Sequence, residues 1–402
     1  MRRALFSLFS ATAVFLFPIT SSSESPVGTF PVIVVFRADV SLQQHQGMYR
    51  ADDRAQANPE AWSYLDPGVA GAVQFLESRH GFRSEHVYSA SIRGFSARLT
   101  ARQIVDVESD PEVAYVEPDG TMRIVAQTLP WGINRIDADT SSTRAGNGNG
   151  AVSNVHAYIV DTGIDATHSD LNVVGHVNFA SGPNRDCNGH GTHVAGTVAA
   201  QDNAIDVVGV SPGAPLTGVK VLGCGGTGST SGVIKGVDWV TAHADKPAVA
   251  NMSLGGGASN ALDSAVNKSA DSGVFYAVAA GNDGAIACND SPARAGTHNG
   301  VATVAATNNT DKEASWSNYG NCVDLWAPGV SILSTRKGGG TTTKSGTSMA
   351  TPHVAGTGAL YLSSHTAASA ATVESALKAS AVSTGTASKD GRAIKLVYAG
   401  NY

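Results

Sequence analysis

Between Asp186 and Thr197 the chain reads DCNGHGTHVAGT, which places Cys187, His190 and His193 at the spacing C-x₂-H-x₂-H. Three readings suit that spacing. A thiolate and two imidazoles could hold a metal ion. One imidazole could act as the base that takes a proton from a nucleophile. The polar residues could also do nothing chemical and simply open a tightly packed helix. Other reactive groups stand elsewhere: Asp161 after AYIV, Ser253 after VANM, Asn282 after AVAAG, and Ser348 inside GTSMA. Acyl transfer by serine needs a hydroxyl, an imidazole base, a carboxylate that fixes the imidazole's tautomer, and N–H donors for an oxyanion. Ser348, one of His190 or His193, Asp161 and Asn282 would supply one of each. Taken singly these residues say little, because a serine at a helix start is ordinarily a cap and an aspartate after a strand a turn residue. Their joint appearance carries the argument.

Such groups need a scaffold. VHAYIVDTG, LTGVKVL, AVANMSLGGG and VFYAVAAGNDG read as apolar strands. HGTHVAGTVAAQ, TSGVIKGVDWVTAH and NALDSAVNKSADSG read as the helices between them. Strand–helix alternation with near-continuous apolar strands predicts an α/β fold: a doubly wound, mainly parallel sheet with helices on both faces. Function in such sheets sits beyond the carboxyl ends of the strands, where Asp161, Ser253 and Asn282 fall. TTTKSGTSMATPHVAGTGALYLSSH runs from a Gly/Ser/Thr-rich turn into a helix, so Ser348 lies among free N–H groups. Upstream, FPVIVVFR, PGVAGAVQFLESRH, EHVYSA, IRGFSARL, ARQIVDVES and EVAYVEP follow the order βαββαβ of a ferredoxin-like module ending near Asp119.

The chain has 402 residues, 42% hydrophobic and 15% charged, with a net charge of -6. It is long and apolar enough for more than one domain, and too acidic for a general nucleic-acid partner. MRRALFSLFSATAVFLFPITSSSES has the layout of a secretory signal, assigned to residues 1–23. No later apolar stretch is long enough to span a membrane, so a secreted, extracellular protein with no membrane partner is expected. Export permits disulfides between the four cysteines, with three pairings open.

VDTG, HGTHVAG, AAGN and GTSMA, in this order, resemble the subtilisin-type serine proteases (subtilases), nearest the proteinase K branch. The resemblance covers Trp131 to Tyr402, and more weakly Phe30 to Asp119. It implies a secreted serine endopeptidase with Asp161, His190 and Ser348 as triad and Asn282 as oxyanion donor; His193 is then a structural histidine. It implies an inhibitory, chaperone-like propeptide at 24–126 and a catalytic domain at 127–402. The propeptide tail would lie in the cleft and be cut autocatalytically between Val125 and Leu129. Polypeptide substrates would bind as an added strand. Ser253, Leu254 and Gly255 would flank one side, Gly226 the other, and Ala279 and Gly281 would wall a primary pocket suited to apolar side chains. Asp290 stands where relatives tend to carry tyrosine; it either draws basic side chains or points to solvent, and solvent is the expectation.

The same resemblance implies Cys187–Cys224 and Cys288–Cys322. Chain entropy would give roughly 4 kcal/mol for each bridge. It implies no cofactor for the chemistry, a monomer, and a possible structural calcium at Asp324 with carbonyls from 296–301. A second calcium site near WGINRIDADT is expected to be lost, because Asn134 and Ala138 replace ligands and leave Asp137. A zinc hydrolase is disfavoured because no H-E-x-x-H occurs, and a lipase-like hydrolase because Ser348 comes last and lies in G-x-S-x-A. A peptide-binding pseudoprotease is disfavoured because every catalytic position is filled. Of the glycosylation sequons at Asn251, Asn267, Asn289 and Asn308, Asn251 is expected to be buried in a strand and unused.

Overall fold

Residues 28–50, 64–120 and 127–402 are described by a computed structural model, and they divide into two compact units with the boundary between Arg123 and Ile124. The signal layout at 1–23 and the Val125–Ala126 part of the expected cut lie outside the described residues.

The upstream unit is β1 (Thr29–Phe36), α1 (Pro67–His80), β2 (Ser84–Tyr88), β3 (Gly94–Thr100), α2 (Ala101–Glu108) and β4 (Val113–Pro118). Its strands pair antiparallel in the order β2-β3-β1-β4, the arrangement of a βαββαβ module. Local chemistry sets the helix ends. The Asp66 carboxylate accepts from Gly68 N and Val69 N, Pro67 needs no donor partner at the first position, and Gly81 closes α1 at φ 67°. Thr100 and Gln103 cap α2 reciprocally. Val34, Leu76, Phe95 and Leu99 are buried in its core.

The downstream unit is built on a sheet of nine strands. In chain order the elements are α3 (Trp131–Arg135), β5 (His156–Asp161), β6 (Val173–Asn178), α4 (His190–Ala199), β7 (Leu216–Lys220), α5 (Thr230–His243), β8 (Ala248–Met252), β9 (Gly256–Gly257), α6 (Asn260–Asp271), β10 (Val274–Ala279), β11 (Asp290–Ser291), β12 (Val301–Thr307), β13 (Leu325–Pro328), β14 (Ile332–Thr335), β15 (Thr341–Lys344), α7 (Thr347–Ser364), α8 (Ala370–Ser380), β16 (Val382–Ala387) and β17 (Ala393–Leu396). The sheet order is β16-β17-β13-β12-β10-β8-β5-β7-β6, and all neighbours are parallel except β16 and β17. Every residue of β7, β8, β10 and β12 is buried, which is why these strands read as unbroken apolar runs rather than alternating ones. From β5 the chain goes to β6 and β7 on one side, then to β8 on the other. That reversal opens a crevice at the carboxyl ends of β5 and β8.

Sequence reading did not assign β6 or the strands after Val301. β6, VVGHVN, lies at the sheet edge with five residues half-buried and one exposed, so it has neither the apolar run of a central strand nor clean alternation.

Candidate active site

Asp161 ends β5 and is fully buried. His190 is the first residue of α4, where its Nδ1 lies 2.8 Å and 2.9 Å from the two carboxylate oxygens of Asp161. Asp161 Oδ1 also accepts from Thr162 N at 2.7 Å, which fixes the carboxylate's orientation. Burial opposes a charge on the imidazole, but the Asp161 carboxylate is the larger influence and holds His190 above its ordinary value. Two features bring strand and helix this close. A Cβ on Gly191 would lie 2.1 Å from Gly163 O, so only glycine fits there. Buried Asp186 collects five donors: Oδ1 accepts from Asn188 N, Gly189 N and Thr162 Oγ1, and Oδ2 from Thr192 N and Thr192 Oγ1. Thr162 Oγ1 in turn accepts from Gly191 N at 2.9 Å, which ties the end of β5 to the start of α4. Sequence reading missed Asp186; its one signal was a carboxylate placed just before a glycine-led helix start.

Ser348 is the second residue of α7. Pro352, four residues on, has no N–H to give to the Ser348 carbonyl. That carbonyl instead accepts from Ser253 Oγ at 2.8 Å, while Ser348 Oγ donates to Ser253 O at 3.1 Å. Asn251, buried in β8 as expected, donates to Ser253 Oγ at 2.9 Å. The end of β8 and the start of α7 are therefore joined by reciprocal bonds, and in this state the Ser348 hydroxyl points to Ser253 rather than to His190. Asn282 follows β10; its Oδ1 accepts from Thr347 N at 2.8 Å and Thr347 Oγ1 at 3.0 Å. With its oxygen fixed this way, its Nδ2 donors are left for another acceptor.

A cleft of about 350 Å³ is lined by His190, Gly226, Ser253, Leu254 and Gly255. Ala279 and Gly281 lie outside that lining, at and just after the end of β10. His193 is fully buried, its Nε2 3.1 Å from the carbonyls of Ile332 and Thr342, so it holds the β14–β15 hairpin; burial lowers its pKa to about 4. Cys187 is bonded to Cys224 and Cys288 to Cys322, which removes Cys187 from any metal set. Of the opening cluster, one histidine faces a carboxylate, one supports a hairpin, and the thiol is a crosslink.

The sequence model of the Subtilase family matches residues 153–395. The chain belongs to the subtilase family. The model of the peptidase inhibitor I9 family matches residues 31–125 of this subtilase. It is 46% identical over 377 residues to an extracellular serine proteinase of Thermus sp. (strain Rt41A), covering 90% of this chain and 88% of the relative. It is 43% identical over 371 residues to alkaline serine exoprotease A of Vibrio alginolyticus, covering 88% of this chain and 65% of that longer protein. A solved structure described as a cold adapted subtilisin-like serine proteinase superposes with a TM-score of 0.60 at 44% identity, covering 67% of this chain and 97% of the other.

Two places in the subtilase domain bear on calcium. Asp324, the expected ligand, does not fit one: Lys378 Nζ lies 2.7 Å from its Oδ1 and 3.0 Å from Glu374 Oε1, and Thr303 N donates to Oδ2 at 2.9 Å. An ammonium group already fills the seat a cation would take. Asp170 fits better, and sequence reading missed it. It is fully buried, no cationic side chain pairs with it among the described residues, and burial pushes its carboxyl up to about 7. Around it the 201–207 loop brings Asn203, whose amide is 2.8 Å away, and the carbonyls of Gln201 and Val207, which share the amide of Gln127 at 2.7 Å and 3.3 Å. Asn203 is held as it stands, its Oδ1 accepting from Ile205 N at 2.7 Å; turning the Gln127 amide alone would present its oxygen beside the two carbonyls, giving the carboxylate, amide and carbonyl types that calcium takes.

The His190–Asp161 pair makes a pH prediction. A base must be neutral to accept a proton, so kcat/KM should rise with pH through a His190 pKa above the ordinary value near 6.5. The stability linkage has the opposite sense: a raised histidine pKa contributes stability below about 6.5 that is lost as pH rises through the folded value. A pH–rate profile of the mature protein checks this, and an acid limb below pH 6 would contradict it.

Proposed function

We propose that the chain is the precursor of a secreted serine endopeptidase, with a signal at 1–23, an inhibitory module at 24–126 and a catalytic domain at 127–402. One observation supports the reading: the Asp161–His190 pair follows β5, and the Asn282–Thr347–Ser348 helix start is bonded to the ends of β8 and β10, so both groups stand at the carboxyl ends of one parallel sheet. Ser348 Oγ attacks the substrate carbonyl and gives its proton to His190 Nε2, while Asp161 holds Nδ1–H and steadies the imidazolium. The carbonyl oxygen, now negative, receives bonds from Asn282 Nδ2 and the Ser348 N–H of the first helical turn. The imidazolium returns the proton to the leaving amine, leaving an acyl-serine that water, deprotonated by His190, hydrolyses. The substrate runs as an extended strand beside Ser253–Gly255 and Gly226, and small Ala279 and Gly281 favour apolar side chains in a broad specificity.

Gln127 and Thr128 are bonded to the downstream unit, the latter through Thr128 N to Asp206 O at 2.9 Å, which suits a mature start at 127. Phosphonylation by a serine-directed reagent should add its mass to the Ser348 peptide alone and abolish hydrolysis. Labelled but active protein would sink the reading. N-terminal sequencing of secreted protein should show a start near Gln127; an intact start near residue 24 would remove the propeptide.

Structural calcium belongs to this proposal at Asp170, Gln127 and the Gln201 and Val207 carbonyls, and not at Asp324. No catalytic step uses it. With calcium at a hundred times its Kd the folded state gains about 2.7 kcal/mol. Thermal unfolding of phosphonylated protein should therefore show a Tm several degrees lower in EDTA than in calcium, and equal values would eliminate the site.

A further inference from the structure

Resting on the protease reading above, we infer that Lys220 is a positioning residue for the reaction, its buried ammonium tying the Asp161 end of β5 to the wall of the cleft. Lys220 ends β7, is the register partner of Asp161 across the sheet, and is fully buried. Its Nζ donates to Thr162 O at 2.7 Å and to Leu222 O at 2.8 Å, and lies 3.7 Å from Cys187 Sγ. No carboxylate is ion-paired with it among the described residues. A buried charge satisfied only by carbonyls is a poor source of stability, and an apolar side chain would fill the same space more favourably. Packing alone therefore gives no reason for a cation here, whereas its two acceptors do.

Thr162 N donates to Asp161 Oδ1 at 2.7 Å, and Thr162 Oγ1 accepts from Gly191 N at the start of α4, next to His190. With its carbonyl taken by Lys220, Thr162 is held at N–H, hydroxyl and C=O, so the group that orients the Asp161 carboxylate cannot rotate. Leu222 lines the cleft, and Leu222 N and Val221 N donate to Asp161 O at 3.2 Å and 2.9 Å. One ammonium thus couples the aim of the carboxylate to the wall beside the substrate. The titratable groups that face it are Asp186, Asp161 on β5 and His176 on β6. Burial holds the ammonium below its ordinary value, while Asp186 and then Asp161 act the other way. In return its charge offsets part of the negative field that Asp161 and Asp186 exert on His190.

The test compares Lys220→Met, which loses charge and donors, with Lys220→Gln, which keeps neutral donors. Mature protein is assayed on a peptide well below each Tm, with concentrations set by phosphonyl titration of Ser348. In Lys220→Met, kcat should fall roughly tenfold, as expected for a misaligned base. With the offset gone, the acid limb of kcat/KM should move up by about half a pH unit. Lys220→Gln should show the same limb shift and a smaller fall in kcat, because a neutral donor bonds more weakly than a charged one. A lower Tm with kcat and acid limb unmoved would reduce Lys220 to packing and overturn the inference. Should neither variant fold, wild-type protein at high pH provides the same neutral donor. Its kcat should then step down below pH 10.5, lysine's ordinary value, with the near-ultraviolet circular dichroism unchanged. A kcat flat to that pH overturns the inference. Wild-type protein that takes no phosphonyl label and cleaves no peptide overturns the protease reading instead.

Discussion

Ser348→Ala protein should accumulate as an uncut precursor, and when released from its module it should hydrolyse peptides on the order of 10⁶-fold more slowly than wild type. That magnitude is the one known for triads of the subtilisin type, carried over unchanged. The physical basis is that the three residues act as a unit: without the hydroxyl there is nothing for His190 to deprotonate, and the Asp161–His190 bonds of 2.8 Å and 2.9 Å serve no nucleophile. The slow residual rate would come from Asn282 and the helix start, which polarise the carbonyl for attack by water. Alanine also deletes the bond to Ser253 O, but the reciprocal bond from Ser253 Oγ to the 348 carbonyl needs no side chain at position 348 and should keep α7 in place. Separate expression of the two units and a peptide assay give the measurement. Residual activity within tenfold of wild type would remove Ser348 from the chemistry.

Asp186→Ala should cost about 3–5 kcal/mol of stability, near the top of the range for single substitutions. The carboxylate touches no substrate, yet it accepts from Asn188 N, Gly189 N, Thr192 N and the hydroxyls of Thr162 and Thr192. Each buried donor left without a partner costs about 1–3 kcal/mol, and entering water would recover part of the sum. A domain of this size loses roughly 2–4 °C in Tm per kcal/mol, so Tm should drop by about 10 °C. Calorimetry of phosphonylated protein, which cannot digest itself during the scan, checks the figure. A fall below 2 °C would show that α4 holds its position by packing alone.

Legibility in the sequence followed interaction range. Asp161, Ser253 and Asn282 stood out because each interrupts an apolar run at the end of a buried strand, a purely local signal. α1 and α5 were readable for the same reason, since cap and spacing lie within a few residues. Asp186 was not readable as a hub, because one of its five donors, the Thr162 hydroxyl 24 residues back, reaches it only when α4 closes onto β5, and the other four carry no motif. Lys378 was invisible as the partner of Asp324 because 54 residues separate them. Asp170 was passed over because its neighbours are amides and carbonyls, which carry no motif.

The strand order has a kinetic consequence. β5 pairs with β8 through His156 and Ala248, 92 positions apart (248 − 156), and β13 pairs with β17 through Trp326 and Leu396, 70 apart (396 − 326). Parallel neighbours of this kind form only after long loops close, so folding is slow compared with a domain of local contacts. At a given equilibrium constant, slow folding means equally slow unfolding. A peptidase counts every unfolded copy of its own chain as food. Its working lifetime is then set by how seldom this sheet opens, and the high contact order of the fold becomes its defence against its own activity.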